Sequence, residues 1–159
     1  MSFRKPNREQ VGREAGEKHI YLHIPDGMAE CVFDLEFLAF KYVDEKDFFV
    51  AEFKVIATDT PVKAGKTISV VLNPRQKLAE VYFYRDLYNI RLALRGKTPS
   101  GAARDKLAAK QDTSVEGILK VLEGLEGREC RAVLERYTNK LGEPARSTSW
   151  LPAEDQLNE

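Results

Sequence analysis

From His19 to Leu72 apolar and polar residues alternate in runs separated by turn-forming residues. His19 to Ile24 reads as a short strand, with Ile20, Leu22 and Ile24 on one side and His19, Tyr21 and His23 on the other. Pro25-Asp26-Gly27 then supplies a turn. Phe33, Leu35, Phe37 and Ala39 point one way, and Asp34, Glu36, Leu38 and Phe40 the other. The polar run Asp44-Glu45-Lys46-Asp47 separates this strand from a second apolar face of Phe49, Ala51, Phe53, Val55 and Ala57, opposite Glu52 and Lys54. Two long alternating runs joined by four polar residues predict a hairpin. After a turn from Thr60-Pro61 to Gly65, Lys66 to Leu72 predicts a further strand with Ile68, Val70 and Leu72 on one face, ended by Asn73-Pro74.

The period then changes. From about Tyr84, Leu87, Ile90, Ala93 and Leu94 recur at helical spacing, and Gly96 stands where a C-cap belongs. Ala79 to Phe83 fits strand or helix. Lys97 to Asp112 is small and polar, with Pro99, Ser100 and Gly101, and reads as a loop. Ser114 is placed as an N-cap for a second helix with an apolar stripe of Val115, Ile118, Leu119, Leu122 and Leu125, closed by Gly127. Cys130, Ala132 and Leu134 alternate with Arg131, Val133 and Glu135; Lys140-Leu141-Gly142 makes a turn, and Arg146 to Leu151 returns as the final strand.

These elements predict a mainly β fold with an α insert: a five-stranded barrel, an added N-terminal strand, and two helices between the third and fourth barrel strands. The barrel is expected to close, because long Phe-rich strands need covered edges. Residues 1–18 read as a mixed-charge arm, 19–152 as one domain and 153–159 as an acidic tail.

Composition narrows the classes. Hydrophobic residues are 43% and charged residues 31% of 159, a globular balance rather than a disordered one. No apolar run nears the roughly 20 residues of a membrane span, and no apolar core follows Met1, so the expected location is the cytoplasm, without membrane contact. Cys31 and Cys130 sit in alternating apolar patterns and are expected as buried thiols; a disulfide between them is the other reading. The formal net charge is zero, but the charge is segregated. Asp26 to Phe53 carries eight acids and two bases, whereas Lys54 to Arg91 carries seven bases and three acids, so a local basic face remains open to the fold.

Several chemistries lack support. His19 and His23 would lie about 13 Å apart on one strand face, too far for one ion, and no Cys-x-x-Cys occurs, so neither metal nor cofactor is expected. Gly65-Lys66-Thr67 lacks the upstream glycine of a phosphate loop and precedes a strand rather than a helix. No nucleophile–base pattern stands out, and an enzyme is not expected.

Four segments carry a likeness. They are Tyr21 to Gly27; Phe49 to Val55 with Pro61 and Ala64-Gly65-Lys66; Arg85 to Ile90 running to Leu94-Arg95-Gly96; and Leu125 to Arg128 leading to Thr138-Asn139-Lys140-Leu141-Gly142. In this order and spacing, over Tyr21 to Leu151, the chain resembles the OB-fold single-stranded DNA-binding proteins encoded by bacteriophages. The resemblance implies an OB-fold-like barrel. It also implies sequence-tolerant binding of single-stranded DNA in phage replication or recombination, in the host cytoplasm. Replication or recombination proteins and a second copy of the chain are the implied partners. The zero net charge departs from that family, and the acidic tail lacks the terminal apolar residues of bacterial single-strand binders.

Single-strand binding needs a basic groove and exposed aromatic faces. On the alternation, Phe40 and Tyr42 fall on the polar side of the first long strand and Phe48 on that of the second. Tyr137 begins the last hairpin loop and Trp150 lies on the final strand. The basic candidates are Lys41, Lys54, Lys63, Lys66, Arg131, Arg136, Lys140 and Arg146, densest near the last hairpin. For the aromatics the alternative is a second small core under the helices. The alternative function is an OB-like protein-interaction module, favoured by the acidic first hairpin and tail.

Overall fold

The two long alternating runs form the centre of the sheet. In the computed structural model, which describes residues 20–74 and 79–153 (the side chains of 79–81 apart), strand β2 (Glu30–Val43) pairs antiparallel with β3 (Phe48–Thr58). The arm 1–18, His19 and the tail beyond Ala153 lie outside the described residues. The connecting turn is tight: Asp47 takes a left-handed φ of 55°, which Asp tolerates better than most residues, and the Tyr42 hydroxyl donates to its Oδ1 at 2.6 Å. The remaining strands are β1 (Ile20–Tyr21), β4 (Thr67–Leu72), β5 (Glu129–Thr138) and β6 (Pro144–Pro152). They complete a mixed, curled half-barrel sheet of order β1-β4-β3-β2-β5-β6 among the described residues. Only the β1–β4 pair is parallel.

Two bulges change which side chains face inward. Phe37 pairs with Phe53 but Ala39 with Glu52, so Leu38 is an extra residue on β2. Past it, Phe40 stands opposite Ala51 and Tyr42 opposite Phe49, both partners being core residues. An inserted residue flips the parity of every position after it. Ile56 does the same on β3, and Ala57, expected inward, is exposed.

The strand edges β1 and β6 are not joined by a ladder among the described residues, so the expected closed barrel is a half-barrel. Side chains bridge the seam instead. Arg136 and Arg146 are cross-strand partners on the core-facing side of β5 and β6. Arg136 Nη2 donates to the Ile24 carbonyl at 2.8 Å and its Nε to the Met28 carbonyl at 3.0 Å, while Arg146 Nη1 reaches the Leu22 carbonyl at 3.2 Å.

Among the described residues three helices, not two, lie between β4 and β5: α1 (Ala79–Leu94), α2 (Gly101–Ala108) and α3 (Val115–Leu119), the last continued by a 3-10 turn at Lys120–Leu122. Helix α1 covers the core-facing side of the sheet. Its Leu87, Ile90 and Leu94 are fully buried, and Phe83 meets Phe49 at 5.7 Å between ring centroids. Gly96 follows with φ 80°, the left-handed C-terminal stop expected there. Helix α2 occupies the segment read as a loop. Ser100 acts as its N-cap, the side-chain oxygen accepting from the Ala103 amide at 3.3 Å, and small alanines favour the helix. It buries no residue fully, so it shows no apolar stripe. Ser114 caps α3 as expected, accepting from Gly117 N at 3.1 Å.

Candidate functional site

The sheet face turned away from α1 is set by the strand register. It carries Lys41 and Val43 of β2, Phe48, Val50, Glu52 and Lys54 of β3, Asp34 and Glu36 at the other end of β2, and Arg131 and Tyr137 of β5. Most of its charges are already matched across strands. Lys41 Nζ lies 2.9 Å from Glu52, Lys54 Nζ lies 4.0 Å from Glu36, and Arg131 grips Asp34 through Nε at 2.7 Å and Nη2 at 3.1 Å. Opposite charges facing each other on neighbouring strands stabilise the sheet and reduce its field on a polyanion.

Three of the five expected stacking aromatics do not face solvent. Phe40 is half-buried and stacks on Phe49 at 5.5 Å, and Tyr42 packs on the same ring at 5.0 Å, both carried inward by the Leu38 bulge. Trp150 is 3% exposed, opposite Ala132 and stacked on Phe53 at 5.6 Å. These rings extend the core, and a base has no access to Trp150. Phe48 remains on the outward face opposite Val43, half-buried, and Tyr137 is 50% exposed. Of the arginines near the last hairpin, Arg136 and Arg146 hold the 22–28 segment and Arg131 holds Asp34. Lys63 and Lys66 are exposed in the β3–β4 turn, and Lys140 beside Leu141 at the hairpin tip. That tip is preformed: the Asn139 side-chain oxygen accepts from Leu141 N and Glu143 N at 2.9 and 3.0 Å, and Gly142 takes φ 79°.

The candidates therefore fall into two groups. Phe48 and Lys41 lie at the Val43 end of β2, whereas Tyr137 and Lys140 lie beyond its Glu30 end. The fold does not bring them into one cluster.

A second surface was missed by the sequence reading. Between the C-terminal half of α1 and α2 lies a cavity of about 240 Å³ lined by Arg91, Arg95, Lys97 and Lys106 over apolar walls that include Leu92 and Leu107. The signal for it was present: from Arg91 to Lys110 the chain carries six bases and one acid, Asp105. Asp105 is engaged by Arg104 at 3.5 Å. Among the described residues no carboxylate pairs with the four cations of the cavity. Arg91 Nη1 donates to the Val121 carbonyl at 2.7 Å, which fixes one side of its guanidinium. Burial and the neighbouring Arg95 charge push its pKa below the usual arginine range.

Neither cysteine is a ready nucleophile. Burial raises the pKa of the Cys130 thiol strongly and that of Cys31 less, with the Asp59 charge adding to the latter. Cys31 stands opposite Leu134 and Cys130 opposite Leu35, so the register places them four residues apart along the strands, about 13 Å and beyond disulfide reach. Among the described residues no three His, Cys, Asp or Glu side chains come together as a metal site, and no helix is long and apolar enough to cross a membrane.

No protein-family model matches the chain, and no curated protein matches it.

Proposed function

We propose that the protein binds single-stranded DNA without sequence preference through an OB-fold-like half-barrel. The observation that carries the reading is the strand arrangement. A long bulged strand, β2, pairs with its hairpin partner β3 on one side and with the distant β5 on the other, and helices are inserted between the third and fourth barrel strands. OB-folds have this order, and they bind oligonucleotides on the face of their second and third strands between two loops. The corresponding face carries Phe48 and Lys54 on β3 with Lys41 beside them on β2, and the corresponding loops are the Asp44–Asp47 turn and the Asn139–Glu143 tip with Tyr137 and Lys140. Stacking on an aromatic is worth about 1–3 kcal/mol per base and tolerates any sequence. A strand crossing from Phe48 to Tyr137 would be held at both ends of the sheet.

Fluorescence anisotropy with a labelled oligothymidine of about 30 nucleotides, at two salt concentrations and with duplex as control, tests this. The expected result is single-strand binding that spares duplex, with log affinity falling by about 0.7 per neutralised phosphate for each unit of log salt. Absence of binding at low salt, where charge attraction is least screened, removes the reading.

A specific observation favours a second reading, a protein-interaction module. The sheet face is internally charge-matched, and Leu38, Ile56 and Leu141 are exposed, Leu141 by 82%. Exposed apolar side chains beside balanced charge suit a protein partner better than a polyanion. A pull-down partner that binds wild type and is lost in Leu141→Asp, together with no oligonucleotide shift, selects it.

A further inference from the structure

The cations on the sheet are neutralised within the fold, and those between α1 and α2 are not. Arg91, Arg95, Lys97 and Lys106 line one cleft, with no carboxylate among the described residues to pair with them. Four like charges around one concavity repel each other, and an anion placed between them relieves that repulsion. The groups suit a phosphate. Guanidinium N–H donors fit its oxygens in pairs, and the lysine ammoniums act as point charges beside them. Most of the wall is apolar, Leu92 and Leu107 included, and the basic groups make up its smaller polar part, which suits a ligand with an uncharged portion beside its anionic one. Size decides how much of such a ligand enters. At about 240 Å³ the cleft is below the roughly 300–1,000 Å³ of sites that enclose a drug-sized molecule. It holds a phosphate and the group next to it, with the rest of a larger ligand outside.

We infer that the α1–α2 cleft is a phosphate-binding site that takes one backbone phosphate and its sugar from a nucleic-acid strand, on the helical side of the molecule and away from the sheet face. The strand as source rests on the single-strand reading proposed above; the phosphate chemistry of the cleft does not.

The test uses the full chain and two probes, inorganic tripolyphosphate and a labelled oligothymidine. The variant Arg95→Glu with Lys106→Glu reverses two cleft charges, and Arg95→Lys with Lys106→Arg keeps them. The inference expects the reversal to weaken oligothymidine binding by about tenfold or more. The salt slope should fall by about 0.7 for each phosphate no longer neutralised, while the conservative pair binds as wild type does. Loss of tripolyphosphate binding with oligothymidine binding unchanged upholds the phosphate site but overturns the strand as its source. If wild type binds tripolyphosphate in the cleft and no oligonucleotide at all, the single-strand reading fails and the site stands. Unchanged binding of both probes in a folded reversal variant overturns the site. Should the reversal variant not fold, amide shifts of wild type decide. Tripolyphosphate is expected to move Leu92, Arg95 and Leu107, and movement confined to other residues overturns the inference.

Discussion

Trp150 is the chain's one tryptophan, and its indole lies on Phe53 with no face open to solvent. Two measurable consequences follow from that position. Its emission should be that of a buried indole, and saturating oligothymidine should leave it unquenched; quenching proportional to occupancy would place a base on the ring after all. Trp150→Ala should cost about 3–5 kcal/mol in urea unfolding, the usual loss for removing a large buried aromatic. A loss under about 1 kcal/mol contradicts the packing described. At this scale the sequence was legible where alternation was regular. Phe33, Leu35, Phe37, Phe49 and Phe53 are all core, as their pattern predicts. It misled past Leu38, because an extra residue in a strand has no signature in a count by twos. Phe40 and Tyr42 are therefore core-side rings that the pattern sets outward. Nor does any local pattern mark Arg136 and Arg146 as engaged, since their acceptors are backbone carbonyls more than a hundred positions away.

Among the elements, the helical insert is the least legible part. The first helix announces itself because it buries one stripe, and Ser114 announces the third because a cap is a local hydrogen bond. The second helix buries nothing completely and is built from alanines and charges, so only its Ser100 cap and its propensity could have marked it. Overlooking it hid the cleft, since Ala103, Lys106 and Leu107 of the cavity wall belong to it. Within the third helix, Gly117 offers a test of local packing. Glycine to alanine in a helix ordinarily stabilises by about 0.5–1 kcal/mol. Here an added Cβ would lie 2.5 Å from Asp112 Cβ and Cγ and 2.7 Å from the Asp112 carbonyl oxygen. Asp112 is itself held in place, because its Oδ1 accepts from Ser114 N at 2.9 Å. Overpacking of this kind costs about 1–3 kcal/mol, so Gly117→Ala is expected to lower stability by about 1–2 kcal/mol in chemical denaturation. A stabilised variant would show that Asp112 yields without loss.

For the whole molecule, the charge-matched sheet and the unmatched helical cleft give a neutral chain two electrostatically different sides. Net charge hides this, and the segment counts expose only part of it, because matching happens across strands rather than along them. The same limit applies to the barrel. The succession of strands along the chain is legible from alternation and hairpin lengths, whereas the β1–β4 and β2–β5 pairings, the open seam and its bridging arginines depend on where distant segments meet. Arg136 tests the seam: its guanidinium satisfies the Ile24 and Met28 carbonyls from a partly exposed position. Arg136→Ala is expected to lower stability by about 1–2 kcal/mol, below the full worth of two charged hydrogen bonds because solvent can replace part of them. An unchanged urea midpoint would mean that the 22–28 segment is held without it.

The seam also fixes an order of events in time. Its side-chain bridges join residues 112 and 124 positions apart, and β1 meets β4 across some 48. Pairings over such spans reward the chain only after long loops have been closed, so they form late. The damage in Arg136→Ala then belongs to the unfolding rate, with refolding nearly unchanged. On the ribosome the 22–28 segment precedes the arginines of β5 and β6 that bridge to it by more than a hundred residues. Through that interval the outer edge of β4 stands without its neighbour, and an unpaired edge of Val, Ile and Leu is where nascent copies would adhere to one another.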